Sequence, residues 1–211
     1  MNKRIFIISL VLAISSLAGF AKKKGNESSV VDSYTFYGVN FSKCHTYGWG
    51  ENPEQTISAL AEISRLFVSE MSKYDLQKFL EKRVDNYDVE VSVKQTLAKD
   101  PKTLETYNQG DRLSIDTIQA VVSGLELKDS TGYGLMIFGD FLNKKDQVGI
   151  YQYVFFDIAT REIVEKWEAE GESGGFGLRN YWAKSVYNTL RTPRFTKLYY
   201  KVRTLPARMQ K

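Results

Sequence analysis

The 211-residue chain contains one cysteine, one histidine and four prolines. A lone cysteine forms no intramolecular disulfide, so the chain is no disulfide scaffold. One Cys with one His cannot build a tetrahedral protein metal site either. The expectation is therefore no metal and no cofactor. Beyond residue 20 no run is long and apolar enough to span a bilayer. There is no internal repeat, no low-complexity block and nothing that resembles a nucleic-acid module. Residues 173–211 lack any acidic side chain. What remains is ordinary globular composition: 43% hydrophobic, 26% charged, 13% aromatic. That is enough bulk for the core of a single domain.

The amino terminus reads as an export signal. Asn2-Lys3-Arg4 is a short positive segment, residues 5–20 are uncharged and mostly apolar, and Ala18-Gly19-Phe20-Ala21 places small residues at the −3 and −1 positions of a cut after Ala21. The run is shorter than the roughly 20 residues a spanning helix needs. Lys22-Lys23-Lys24 puts positive charge on its far side too, which keeps an uncleaved anchor open as the alternative. No Cys follows the small-residue site, so a lipoprotein modification is not expected. The division is then signal peptide 1–21, flexible leader 22–32, folded domain 33–192 and basic tail 193–211. The expected location is the periplasm or cell envelope, with no transmembrane span in the mature chain.

Within the domain, residues 33–41 carry bulk on both sides of a strand, which predicts burial of both faces, or one face buried and the other aromatic. Asn52-Pro53-Glu54 has the cap, the first-turn proline and the first-turn acid of a helix start. Ile57, Leu60, Ala61, Ser64, Phe67, Val68 and Met71 then follow one apolar stripe. Asp75 predicts a short capped helix to Lys82. Val89, Val91 and Val93 alternate with polar residues, which predicts a half-exposed strand over 88–94. Asp116 and Gln119 have the spacing of a capping box for a helix with Ile118, Val121, Val122 and Leu125 inside, stopped by Gly124. Strands are expected at 133–142, 149–157 and 162–169, joined by short turns as an antiparallel meander. A Gly-rich loop at 171–177 leads to a last helix at 178–190. The fold class is α/β (α+β): one layered domain, a mixed sheet with a three-strand antiparallel meander in its carboxyl-terminal half, and helices packed on it.

Three segments carry a family resemblance: Tyr37-Gly38-Val39-Asn40-Phe41, residues 132–139, and Asp157-Ile158-Ala159-Thr160-Arg161-Glu162-Ile163-Val164. In their order and surroundings they resemble the small periplasmic domain shared by the curli-assembly lipoprotein and the amino-terminal part of the Tol-system protein TolB. Arg161 stands where that group usually has Gly. The resemblance implies this layered fold and an envelope compartment with an accessory role. It implies no catalytic residues, and the missing lipoprotein Cys leaves anchoring and pore formation behind.

Candidate chemistry is sparse. Cys44 and His45 are adjacent, and neighbours in an extended segment point to opposite faces, so they are poorly placed to share a proton. Surface or edge-strand positions are the expectation for this pair, although a free Cys is more often buried. Glu165, Glu168, Glu170 and Glu172, with Lys166 interleaved, read as a solvated strand face, and no catalytic role is assigned to them or to Asp140 and Asp157 of the meander. Gly174, Gly175 and Gly177 precede a helix whose first turn holds Arg179, a place where backbone N–H groups can meet an anion. Residues 173–211 hold nine basic side chains, whereas residues 22–172 hold 18 basic against 25 acidic ones. Candidate anion- or partner-binding residues are thus Gly174, Gly175, Gly177, Arg179, Arg194, Lys197, Lys201, Arg203 and Arg208. Either the basic end lies on the chain's own acidic body, or it meets an anionic partner, the candidates being an envelope protein or an anionic membrane or glycan surface. The expected function is a non-catalytic envelope accessory or binding protein. A hydrolase or transferase whose site assembles only in three dimensions is the alternative.

Overall fold

The computed structural model describes residues 31–48 and 50–191. The signal segment, nearly all of the leader and the basic tail lie outside the described residues. The fold is mixed α/β: five helices pack on a six-strand mixed sheet whose carboxyl-terminal strands form an antiparallel meander.

β1 (Ser33–Asn40) sits inside the sheet and is buried along almost its whole length, as its two-sided bulk requires. It pairs in parallel with β3 (Arg83–Tyr87) on one side and with β4 (Tyr133–Asn143) on the other. β2 (His45–Tyr47) continues the row of β1, pairing in parallel with the last three residues of β4. The meander of β4, β5 (Val148–Asp157) and β6 (Ile163–Glu172) closes the sheet. Side chains of the meander alternate between the two faces, with register shifts at Gly139/Phe141 and Phe155/Phe156. Leu135, Ile137, Tyr151, Tyr153, Phe155 and Trp167 enter one core, shared with α1 (Pro53–Ser69), α2 (Leu76–Leu80) and α5 (Leu178–Arg191). Met136, Phe138, Val154 and Phe156 face a second, smaller core under Ile118 and Val122 of α4 (Ile115–Ser123). The sheet is thus covered on both faces, which suits its continuous apolar runs.

Local chemistry accounts for most element ends. The Asn52 side chain accepts from Gln55 N–H, Pro53 occupies the first turn of α1, and Asp75 caps α2 through Lys78 N–H. Gly124 ends α4, as expected. Arg161 in the β5–β6 turn adopts φ +64°, the left-handed conformation a glycine takes most easily. Its guanidinium donates to the Ile158 and Leu125 carbonyls, which ties the turn to the end of the α4 segment.

Four expectations need correction. Residues 88–94 are not a strand: Glu90–Leu97 is the helix α3, and the strand is Arg83–Tyr87 just before it. Val89, Val91 and Val93 satisfy period 2, yet 89 and 93 are also four apart and share a helical face. Both are buried, while Val91 packs toward the α4 core. The true strand, with only Val84 and Tyr87 partly packed, is an edge held by backbone pairing to β1, so its side chains advertise little. The cap of α4 is Ser114, which accepts from Thr117 N–H, rather than Asp116. Val68 and Met71 are exposed, so the α1 stripe ends at Phe67. Val31, assigned to the leader, is fully buried, and its carbonyl accepts from the buried Lys82 ammonium.

Candidate functional site

Cys44 and His45 do not form a catalytic pair. Cys44 is fully buried in the larger core, and its thiol contacts the His45 carbonyl at 3.5 Å rather than the imidazole. Burial pushes the thiol pKa well above its usual range. It depresses the imidazole pKa, with the Lys99 charge acting in the same direction. A protonated, inaccessible sulfur is no nucleophile.

Of the meander carboxylates, Asp140 and Glu168 are drawn together through Gln152, and Asp140 is buried. Asp140 sits at a bulge in β4, where the register to β5 shifts between Gly139 and Phe141, and the bulge re-aims its side chain into the protein. It is 1% exposed and accepts from Leu113 N–H and Gln152 Nε2, both at 2.8 Å. Burial raises its pKa against those two hydrogen bonds. Gln152 also donates to Glu168 at 2.7 Å and accepts from Lys166 at 2.8 Å. This chain of bonds pins the segment entering α4 to the sheet, which is a structural duty.

The Gly-rich loop and α5 form the more open feature. Gly174, Gly175 and Gly177 all have positive φ, so the chain turns sharply from β6 into α5. Side chains at these positions would be strained whatever the space. Two amides of the turn are already used: Ser173 N–H donates to Gln147 O and Gly174 N–H to Tyr181 O. The anchored turn leaves Phe176 at its tip, 95% exposed. Beside it runs a groove of about 570 Å³. Gly174, Gly175, Phe176 and Arg179 form one end, Lys184 and Arg191 the α5 wall, and Lys73 with Glu70, just beyond α1, the far side. Lys73 is paired with Glu70 at 3.1 Å. Arg179, Lys184 and Arg191 are exposed and have no carboxylate within 4.0 Å among the described residues. Lys144, from the β4–β5 turn, lies 3.6 Å from the centre of the Tyr181 ring at the same end.

The structure therefore brings Gly174, Gly175 and Arg179 to one groove and places Gly177 at the entry to α5. Arg194, Lys197, Lys201, Arg203 and Arg208 lie outside the described residues. Sequence reasoning did not single out Lys73, which a tertiary contact of α1 with α5 brings across the groove. Phe176 was legible in the loop, yet its exposure depends on the turn geometry. Among the described residues no group of three or more His, Cys, Asp or Glu is placed to hold a metal ion, and no helix is long and apolar enough to cross a membrane. The chain matches no known family model, no curated protein and no solved structure.

Proposed function

We propose that the protein is an exported accessory protein of the cell envelope that works by binding, without catalysis. Its α5 face docks on an anionic lipid surface. The observation that carries this reading is the solvent-exposed Phe176 at the tip of a glycine turn, at the end of a groove whose lining also holds the exposed Arg179, Lys184 and Arg191. An aromatic side chain in one groove with cations that have no carboxylate partner among the described residues matches the two demands of a lipid interface, apolar insertion and headgroup charge. The rest of residues 173–211 adds six more basic side chains and no acid. The signal-like amino terminus and the resemblance to envelope domains of the TolB type support the compartment.

Each basic side chain near an anionic membrane contributes about 1 kcal/mol. Removing three in Arg179→Gln/Lys184→Gln/Arg191→Gln should weaken binding to phosphatidylglycerol-containing vesicles by roughly two orders of magnitude. Phe176→Ser should cost about tenfold more modestly, through lost apolar insertion. Cosedimentation at ~0.1 M and ~1 M salt reads both effects, because screening shortens from about 10 Å to about 3 Å. Equal sedimentation of parent and triple variant at low salt, with both folded, refutes docking through α5. Binding to an acidic protein but to no vesicle refutes the lipid surface as the partner.

A further inference from the structure

β1 lies between two parallel neighbours, β3 and β4. The chain reaches β3 through α1 and α2, in the larger core, and returns to β4 through α4, which covers the opposite face. The carboxyl end of β1 is therefore a point where the connections diverge to opposite faces. In open α/β sheets that position leaves a crevice in which ligands bind. A cleft of about 800 Å³ opens there, between the segment after β1, the segment after α3 and the first two turns of α4.

Its lining combines cationic and apolar side chains. Lys43, Lys99 and Arg112 supply the charge, His45 adds an imidazole whose charged form is disfavoured, and Ala98, Leu113, Ala120 and Val121 are the apolar residues. Lys99 is the informative residue. It is 8% exposed, and its ammonium donates to Ser42 O at 3.3 Å and Thr103 Oγ1 at 3.1 Å. No carboxylate lies within 4.0 Å of it among the described residues. A buried cation held only by neutral oxygens keeps much of its desolvation cost. An anion in the adjoining cleft would offset it. Arg112 faces the same space, its guanidinium 5.1 Å from the Phe141 ring and, among the described residues, donating to the Gln109 and Asp111 carbonyls. The one acidic lining residue, Asp100, spends a carboxylate oxygen on Lys102 N–H at 3.0 Å. The α4 cap places the Ser114 hydroxyl at the rim, and Asp140 holds Leu113 N–H from behind.

We propose that this cleft binds a small organic phosphomonoester, its dianionic head between Lys99 and Arg112 and its apolar body against Leu113, Ala120 and Val121. A dianion with three terminal oxygens fits several donors better than a carboxylate does. The apolar residues give an organic body an advantage over inorganic phosphate. The site is separate from the α5 groove, so it stands or falls independently of the docking face.

Phenyl phosphate is the probe, titrated into the full mature chain and followed by amide chemical shifts, with inorganic phosphate, benzoate and phenol as companions. The expected result is saturable shifts confined to residues 42–45, 98–103 and 112–121, with phenyl phosphate the tightest of the four. Arg112→Gln should weaken it about tenfold. Ala120→Trp, which fills the cleft and leaves every charge in place, should abolish it. Lys99→Met should weaken it at least as much as Arg112→Gln; if that variant does not fold, the other two carry the test. The α5 triple variant should bind phenyl phosphate like the parent. Shifts scattered over every basic surface, or affinity unchanged in Arg112→Gln and Ala120→Trp, overturn the proposal. Benzoate binding as tightly overturns the phosphate head, and inorganic phosphate binding as tightly overturns the apolar body.

Discussion

Gly171→Ala should loosen α5 from the sheet, and its size can be worked from the packing. A Cβ built on Gly171 would lie 2.1 Å from Ser185 O, 3.0 Å from Ser185 C and 2.9 Å from Thr189 Cγ2. The nearest atoms are backbone of α5, so no rotamer change relieves the clash. Ordinary contact requires α5 to retreat by more than about 1 Å, an overpacking that costs roughly 1–3 kcal/mol. The helix cannot slide freely, because Tyr151 OH meets Ser185 Oγ, and Tyr153 OH meets Thr189 Oγ1 at 2.6 Å. Trp182, Val186 and Leu190 would lose core contact in the same movement. For a domain of this size 1 kcal/mol shifts Tm by about 2–4 °C, so the melt should fall by roughly 2–12 °C. Gly110→Ala is the control: its Cβ meets only Asn108 Oδ1, at 3.4 Å, and should change stability by less than about 0.5 kcal/mol. Calorimetry or thermal circular dichroism decides the matter. A Gly171→Ala protein melting with the control would falsify the close approach of α5 to β6, and with it the geometry of the groove.

Three further outcomes are expected. Cys44 should resist alkylation in the native protein and react once the chain is unfolded in denaturant, at least ~100-fold faster, because access requires opening of the core; rapid native labelling contradicts its burial. Asp140 has a folded pKa raised chiefly by burial, so its protonated form is favoured by folding. Its contribution is largest below its unfolded pKa and declines as pH rises through the folded value. Urea unfolding of parent and Asp140→Asn from about pH 3.5 to 7 should therefore show the parent losing ground to the variant as pH rises; a difference that is flat or of opposite slope rejects the assignment. Sequencing of the exported protein should begin at or near Lys22, whereas recovery of intact Met1 from membranes establishes the anchor.

Much of the architecture was legible because local chemistry and periodicity agreed. Asn52-Pro53 opens α1, Asp75 caps α2, Gly124 ends α4, and three apolar runs with short turns can only be a meander. In each case a few neighbouring residues carry the whole signal. The boundary at β3 and α3 was not legible, since three valines in alternation satisfy both periods and a polar edge strand leaves its pairing to the backbone. The tertiary contacts of β1 decided between them.

The same division runs through the sites. The glycines at 174, 175 and 177 and the excess of basic residues after 172 belong to the sequence alone, because conformational freedom and charge are properties of residue types. That Phe176 stands clear of the surface, that Lys73 lies across a groove from α5, and that Lys99 is buried beside a cleft belong to the tertiary structure. The placements of Lys73 and Lys99 depend on partners more than 50 residues away, and the turn that presents Phe176 is anchored by Gln147 and Tyr181. A side chain's burial and its counter-charge are set by what folds over it, and no local pattern encodes that.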